Sequence, residues 1–229
     1  MTKRALIYAW TTVAVGTTVL ACAALQWQSS NAAAFMVCLG LAVFASTFKV
    51  KLPKLTCTVS PGFVFTLVAV ATRSWSETVA IAAVCGLVQC LWRPKTRPGA
   101  LQVAFNTATL AIAGGMAHAV PRGLTVMGGA DVLVVVLGAA GVTLLVSNTL
   151  MVSAILCLLN QAPIYAVWRS VQLWTAPYYL AGGVLASVWA RTELSATAGI
   201  TILAAASVYL LSVCYHELSS IASQRTSCA

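Results

Sequence analysis

The chain has 229 residues, of which 60% are hydrophobic and only 7% are charged. A soluble domain carries about 45–50% apolar and about 25% charged residues, so this chain has too few charges to cover a surface that faces water. Together with a mean hydropathy of +0.92, the composition excludes a soluble enzyme, a nucleic-acid-binding domain and a disordered tail. It predicts an integral membrane protein whose main partner is the lipid bilayer, with no nucleic acid bound.

Eight apolar runs follow one another along the chain. A membrane-spanning helix needs about 20 mostly apolar residues, and with its loop it takes up roughly 27, so a chain of this length holds about eight spans. The predicted fold class is therefore an all-α polytopic helix bundle, a single transmembrane domain over residues 1–229. In chain order, the predicted spans are Ala5–Leu25, Ala32–Phe48, Ser60–Ala71, Ser76–Trp92, Leu101–Val120, Asp131–Leu159, Leu173–Ala190 and Ala196–His216.

The distribution of basic residues predicts the orientation of these spans. With the N-terminus in the cytoplasm, only Arg73, Arg122 and Arg191 of the 13 Lys and Arg residues fall on the outside. Basic residues are enriched in cytoplasmic loops, so both termini are predicted to be cytoplasmic. The formal net charge of +9 is then explained by topology and by contact with anionic lipid.

Two segments differ from plain spans. In Phe48–Gly62, lysines alternate with apolar residues and two prolines follow, which predicts an extended stretch at the cytoplasmic face, either re-entrant or interfacial. Asn160–Gln172 places Tyr165, Trp168 and Arg169 at helical spacing. This pattern predicts either a short amphipathic helix in the membrane interface or a simple aromatic belt.

Ionisable side chains are nearly absent from the interiors of the predicted spans. A proton-driven antiporter needs a central carboxylate, a retinal protein needs a mid-span lysine, and a metal-dependent phosphotransferase needs several acids, so all three classes are disfavoured. His118 and His216 fall near opposite faces and cannot ligate one haem. The eight cysteines include no C-x-x-C pair and are interpreted as structural thiols. No catalytic residue, metal or cofactor is predicted.

Amides and hydroxyls in spans four to six form the remaining polar set. In hydrocarbon, such groups need partners, either on another helix or on a polar ligand. Span seven adds aromatic residues beside a proline, which indicates either a wall for a planar ligand or an interfacial belt. The candidate ligand-binding residues from these spans are Gln102, Asn106, Thr109, Asn148, Trp174, Tyr178 and Tyr179. Glycines in spans five to seven predict close packing of helices in one compact bundle.

Five features follow in a recognisable order: FKVKLP with a later Ser-Pro turn, CLWRPKTRP, QVAFNTATLA, LLVSNTLMV and WTAPYYLAGG. From about Phe48 to Glu217, this order resembles the multi-pass membrane modules found N-terminal to HD-GYP or GGDEF domains in bacterial cyclic-dinucleotide signalling proteins. The resemblance implies a bacterial inner-membrane location and a sensing role. The chain contains no HD pair and no GGDEF-like stretch, so the resemblance implies a module that acts alone or through a cytoplasmic or membrane partner protein.

The sequence thus leads to two functional hypotheses. The first is a non-enzymatic inner-membrane module that senses or binds a small or lipophilic ligand within the helix bundle. The alternative is the substrate-binding membrane component of a small-molecule transporter. Small all-helical subunits of vitamin importers have similar size and low charge, and a partner protein supplies their energy.

Overall fold

The structure is a computed structural model that describes residues 2–29, 31–48, 50–51, 58–94, 97–124, 132–161, 163–169, 179, 182–183 and 186. Most of these residues are helical. The helices are α1 (Lys3–Leu25), α2 (Ala32–Thr47), α3 (Gly62–Thr72), α4 (Trp75–Leu91), α5 (Ala100–Leu124), α6 (Val132–Asn160) and α7 (164–169). Two short strands, β1 (Val50–Lys51) and β2 (Thr58–Val59), pair antiparallel between α2 and α3.

The first six predicted spans correspond to α1–α6, and each helix begins within two residues of its predicted start. Three helical stretches are long and apolar enough to cross a membrane: Lys3–Leu25, Ala100–Ala119 and Val136–Asn160. They indicate a multi-pass membrane protein. Helices α2, α3 and α4 are apolar but shorter. Span seven is described only at four helical residues and span eight lies outside the described residues, so the count of eight stays a prediction.

Local signals in the sequence explain several helix ends. The side chains of Thr2, Asn31 and Ser74 each accept a hydrogen bond from a backbone N–H in the first turn of α1, α2 and α4. Such N-caps satisfy donors that a helix cannot pair internally. Beyond α4 and α6, Arg93 and Gln161 have positive φ angles of 39° and 53°. This left-handed conformation turns the chain away from the helix axis.

Hydrogen bonds at one end of the bundle join the start of α1 to the end of α6. Thr2 Oγ1 donates to the carbonyl oxygen of Leu158 at 3.3 Å. At the same end, Gln89 Nε2 near the end of α4 donates to Ser60 Oγ, just before α3, at 2.6 Å. We call this the inner end, because the predicted topology places it on the cytoplasmic side.

At the opposite, outer end, hydrogen bonds connect the ends of α1 and α5 to the start of α4 and the connection before it. Ser76 Oγ in the first turn of α4 donates to the carbonyl oxygen of Gln26, just beyond α1, at 3.0 Å. His118 near the end of α5 places Nε2 3.2 Å from the carbonyl oxygen of Arg73, between α3 and α4. Together with the inner-end bonds, these contacts show that α1 to α6 alternate in direction along the bundle.

Helix α3 forms the centre of the core. Its 11 residues span about 16 Å at the α-helical rise, and nine of them are buried. It packs against α2, α4, α5 and α6, and Tyr179 and Ala186 belong to the same buried cluster. The part of the chain before α3 contains β1 and β2 within the predicted extended segment Phe48–Gly62. The membrane depth of that segment stays a prediction, as does the interfacial position of α7 within Asn160–Gln172.

Two glycines permit close contacts between helices. A Cβ on Gly16 of α1 would overlap the Cβ of Ala108 on α5, and one on Gly114 of α5 would lie 2.7 Å from the Cβ of Ala82 on α4. Only a residue without a side chain fits at this spacing, as is common between membrane helices. Gly138 on α6 differs, because a Cβ there would meet none of the described atoms within 4 Å.

Candidate functional site

A layer of polar side chains crosses the bundle at one level near the inner end. Contacts of Tyr8 on α1 show which residues of α5 and α6 lie at its level. Its hydroxyl donates to the carbonyl oxygen of Met151 on α6 at 3.3 Å, and its ring lies 6.1 Å from that of Phe105 on α5. We call the set the inner polar layer. It comprises Tyr8, Ser60, Gln89, Cys90, Asn106, Asn148, Thr149, Trp168 and Tyr179.

On one side of this layer, polar groups of α4 bind their neighbours. Asn106 Nδ2 on α5 donates to Cys90 Sγ at 3.0 Å, and adjacent Gln89 bonds Ser60. The two helices approach closely here, because a Cβ on Gly86 would lie 3.0 Å from the carbonyl oxygen of Asn106. These contacts join helices to each other, as buried amides in membrane bundles commonly do.

On the other side, α6 binds the segments that follow it. Asn148 Nδ2 donates to the hydroxyl of Tyr179 at 3.3 Å, and Trp168 Nε1 of α7 donates to Thr149 Oγ1 at 3.2 Å. The ring of Tyr179 stacks on Phe63 of α3, with centroids 4.3 Å apart. Tyr179 therefore bridges α6 and the central helix, with its hydroxyl tied to the amide.

A small apolar groove, with a cavity volume of about 30 Å³, lies next to Tyr179, between α6 and the described part of span seven. Among the described residues, the groove is partly open to the exterior. The lining residues are Leu137, Gly138, Gly141, Val142, Leu145, Tyr179 and Gly183. The five residues from α6 follow the i, i+4 spacing of one helix face, and Asn148 is the next position along that face. The Asn148–Tyr179 hydrogen bond thus lies at the inner end of the groove.

The structure brings only some of the predicted site residues together. Asn148 and Tyr179 form a hydrogen-bonded pair, while Asn106 has a different partner, Cys90. Thr109 is buried, and its Oγ1 has no hydrogen-bond partner within the described residues. Gln102 is exposed. Trp174 and Tyr178 lie outside the described residues.

A second polar cluster, at the outer end, includes groups that the sequence reasoning assigned only to span ends. Glu77 is 1% exposed, accepts a hydrogen bond from Ser29 Oγ at 2.7 Å, and accepts another from the backbone N–H of Ser74 at 3.1 Å. His118 is also buried. The S-x-x-E pattern of Ser74 and Glu77 is a recognised capping box and could have located this carboxyl group. No comparable local pattern indicates the burial of His118.

The groups that converge at the inner polar layer are amides, hydroxyls, a thiol and an indole. They can donate and accept hydrogen bonds beside an apolar groove, which is the usual composition of a site for a mostly hydrocarbon ligand with one polar group. Among the described residues, no group of three or more His, Cys, Asp or Glu side chains could hold a metal ion. No protein-family model matches the chain, and neither a curated protein nor a solved structure shows significant similarity to it.

Proposed function

We propose that this protein is a non-enzymatic membrane module of the bacterial inner membrane that binds a lipophilic ligand in the groove beside α6 and passes the binding event to a partner. The observation that carries the proposal is the position of the Asn148–Tyr179 pair at the end of an open apolar groove. The groove would take a hydrocarbon chain, and the pair would meet one polar group of the ligand.

The contacts of Tyr179 support a sensing role. Its ring lies on Phe63, the second residue of α3, and Phe63 is only four residues beyond Val59 in β2. A ligand that displaced the Tyr179 ring would therefore act directly on the start of the central helix. Because the Tyr179 ring is buried and closely packed, it can move only if its neighbours move with it. We therefore expect two packing arrangements of this region, of which the ligand would favour one.

Filling the groove tests the proposal. Gly138→Leu adds a side chain where a Cβ meets none of the described atoms within 4 Å, so it should occupy the groove without disturbing the described helices. A photoreactive palmitic acid should label residues 137–145 of the wild-type protein in vesicles, and this labelling should fall about tenfold in the variant. Gly40→Leu is the matched control, because a Cβ there is also unobstructed. Uniform labelling around the helices, or unchanged labelling in Gly138→Leu, would contradict the proposal.

The two asparagines provide a test of the polar end. Asn148→Leu removes the donor to Tyr179, while Asn106→Leu removes the donor to Cys90, away from the groove. Each change should cost about 0.6–2 kcal/mol of stability, as expected for a hydrogen bond between membrane helices. Only Asn148→Leu should also reduce the rise in Tm caused by palmitic acid, since that rise depends on the affinity of the folded protein. Equal loss in both variants would argue against a polar contact at Asn148.

The short helix α3 favours a second candidate, the substrate-binding component of a transporter. Interrupted or short helices near the membrane middle are typical of transporter sites. At about 16 Å, α3 is roughly half the thickness of the hydrocarbon core. If this candidate is right, intact cells should accumulate labelled palmitic acid only when they contain the chain, and Gly138→Leu should abolish the uptake. Binding without any accumulation would favour the sensor.

A further inference from the structure

The exposed charge of the described bundle is concentrated at its inner end. Five exposed cations lie there: Lys3 and Arg4 in the first turn of α1, Arg93 and Arg97 between α4 and α5, and Arg169 at the end of α7. We call this set the inner basic rim. The Thr2–Leu158 bond places the start of α1 beside the end of α6, which leads into α7. The rim therefore surrounds much of one end of the bundle.

Acidic residues do not balance this charge. Glu77 is the only Asp or Glu within the described ranges, and it lies buried at the outer end. There, Arg73 is partly buried and lies just beyond α3, four residues before Glu77. The outer end thus combines opposite charges, whereas the described part of the inner end carries only positive ones.

Aromatic side chains accompany the rim at the level where a membrane surface would lie. Trp92 is 46% exposed and Tyr165 is 66% exposed. The guanidinium of Arg93 lies 5.9 Å from the centre of the Trp92 ring. The backbone of Arg93 has a left-handed conformation. Trp and Tyr prefer the headgroup region of a bilayer, and arginine binds phosphate oxygens well because its planar donors match their geometry.

From this arrangement we propose that the inner basic rim binds the phosphate headgroups of anionic phospholipids, with Arg93 and Arg97 as a principal contact beside Trp92. Each basic residue near an anionic membrane surface strengthens association about fivefold. The surface would hold a selected shell of anionic lipid around the inner end. It is separate from the apolar groove, which needs no charge.

Spin-labelled lipids measure this selectivity directly. In phosphatidylcholine vesicles that contain the full chain, electron paramagnetic resonance gives the association constant of labelled phosphatidylglycerol relative to labelled phosphatidylcholine. We expect a value clearly above one for the wild-type protein that declines as salt is added, because salt screens exposed charges. The Arg93→Gln/Arg97→Gln variant should lose most of this preference. Arg73→Gln, at the outer end, should keep it.

Two further measurements keep the test decisive. Reporter fusions should show that the double variant retains its orientation, since Lys3, Arg4 and the β1–β2 lysines remain. If the double variant changes its orientation, the salt dependence of the wild-type association constant tests the proposal instead. Inorganic phosphate at equal ionic strength should compete no better than chloride, because the surface recognises headgroups held at a membrane. A wild-type constant of one, or an undiminished preference in a correctly oriented double variant, would overturn the proposal.

Discussion

Glycines on the helices have different surroundings, although each lies in a similar apolar run. Gly16 and Gly114 lie where two helices nearly touch, whereas a Cβ on Gly138 would have no described atom within 4 Å. The backbone of the neighbouring helix makes the difference, because a helix backbone cannot move aside as a flexible side chain can. A glycine of the first kind stabilises packing, and one of the second kind leaves room for a ligand.

Substitution of Gly16 tests the close contact between α1 and α5. In Gly16→Ala, the new Cβ would overlap Ala108 Cβ and lie 2.6 Å from Ala108 Cα, so the helices must separate. We expect a loss of about 1–3 kcal/mol, as for overpacked cores. Thermal unfolding in detergent measures it. In the control Gly40→Ala, where a Cβ is unobstructed, better helix propensity should raise stability by up to about 1 kcal/mol. A neutral Gly16→Ala would show that the contact is looser than described.

At the scale of the elements, the polar cluster at the outer end joins the α1–α2 connection to the start of α4. The carboxyl group of Glu77 accepts one hydrogen bond from the start of its own helix and one from Ser29 in the α1–α2 connection. Ser76, one residue earlier, donates to the carbonyl oxygen of Gln26 in the same connection. The first turn of α4 therefore holds the α1–α2 connection in place, which local propensity alone would not do.

Removing this carboxyl group should weaken the outer end of the bundle. In Glu77→Ala, the exposed hydroxyl of Ser29 and the half-buried backbone N–H of Ser74 lose their acceptor, which should cost about 0.5–1.5 kcal/mol for each hydrogen bond. Glu77→Gln keeps one carbonyl oxygen and similar volume, so it should recover part of the loss. Hydrogen exchange at residues 26–31 should rise in the alanine variant. Equal stability of the alanine and glutamine variants would mean that packing, rather than these hydrogen bonds, dominates.

For the molecule as a whole, the alternating directions of α1 to α6 and the one-sided charge together predict the orientation of the bundle in the membrane. The contacts at both ends establish that successive helices run in opposite directions. Because basic residues are enriched in cytoplasmic loops, we predict that the inner basic rim faces the inside of the cell. This arrangement would present α7 and the β1–β2 pair to a cytoplasmic partner.

Reporter fusions test this orientation. A fluorescent protein fused after Trp92 or Gln161 should be cytoplasmic, and alkaline phosphatase fused after Gln28 should be active in the periplasm. The reason is that the first two positions lie at the inner end and the third lies at the outer end. Active phosphatase after Trp92 would reverse the orientation and place the basic rim outside. Activity on the same side at all three positions would contradict the alternation itself.

The sequence by itself determined the class of protein and the extent of its first six helices. The positions of the apolar runs suffice for this, because a helix in lipid must be apolar and must satisfy its backbone internally. Length alone does not, since α2, α3 and α4 are shorter than the about 20 residues of a full span. The capping residues Asn31 and Ser74 further explain where α2 and α4 begin. The Asn148–Tyr179 pair also lay within the predicted set of site residues, although their contact was not predicted.

Only the tertiary structure decided which helix faces meet. In water, an amphipathic pattern shows the buried face, but lipid is as apolar as a helix interface, so an all-apolar helix gives no such signal. For that reason the sequence grouped Asn106 with Asn148, whereas the structure pairs Asn106 with Cys90. For the same reason, no local pattern predicts that the carboxyl group of Glu77 accepts a hydrogen bond from Ser29, 48 residues away in sequence. Close approach at Gly16 and open space at Gly138 likewise depend on neighbours that no local pattern identifies.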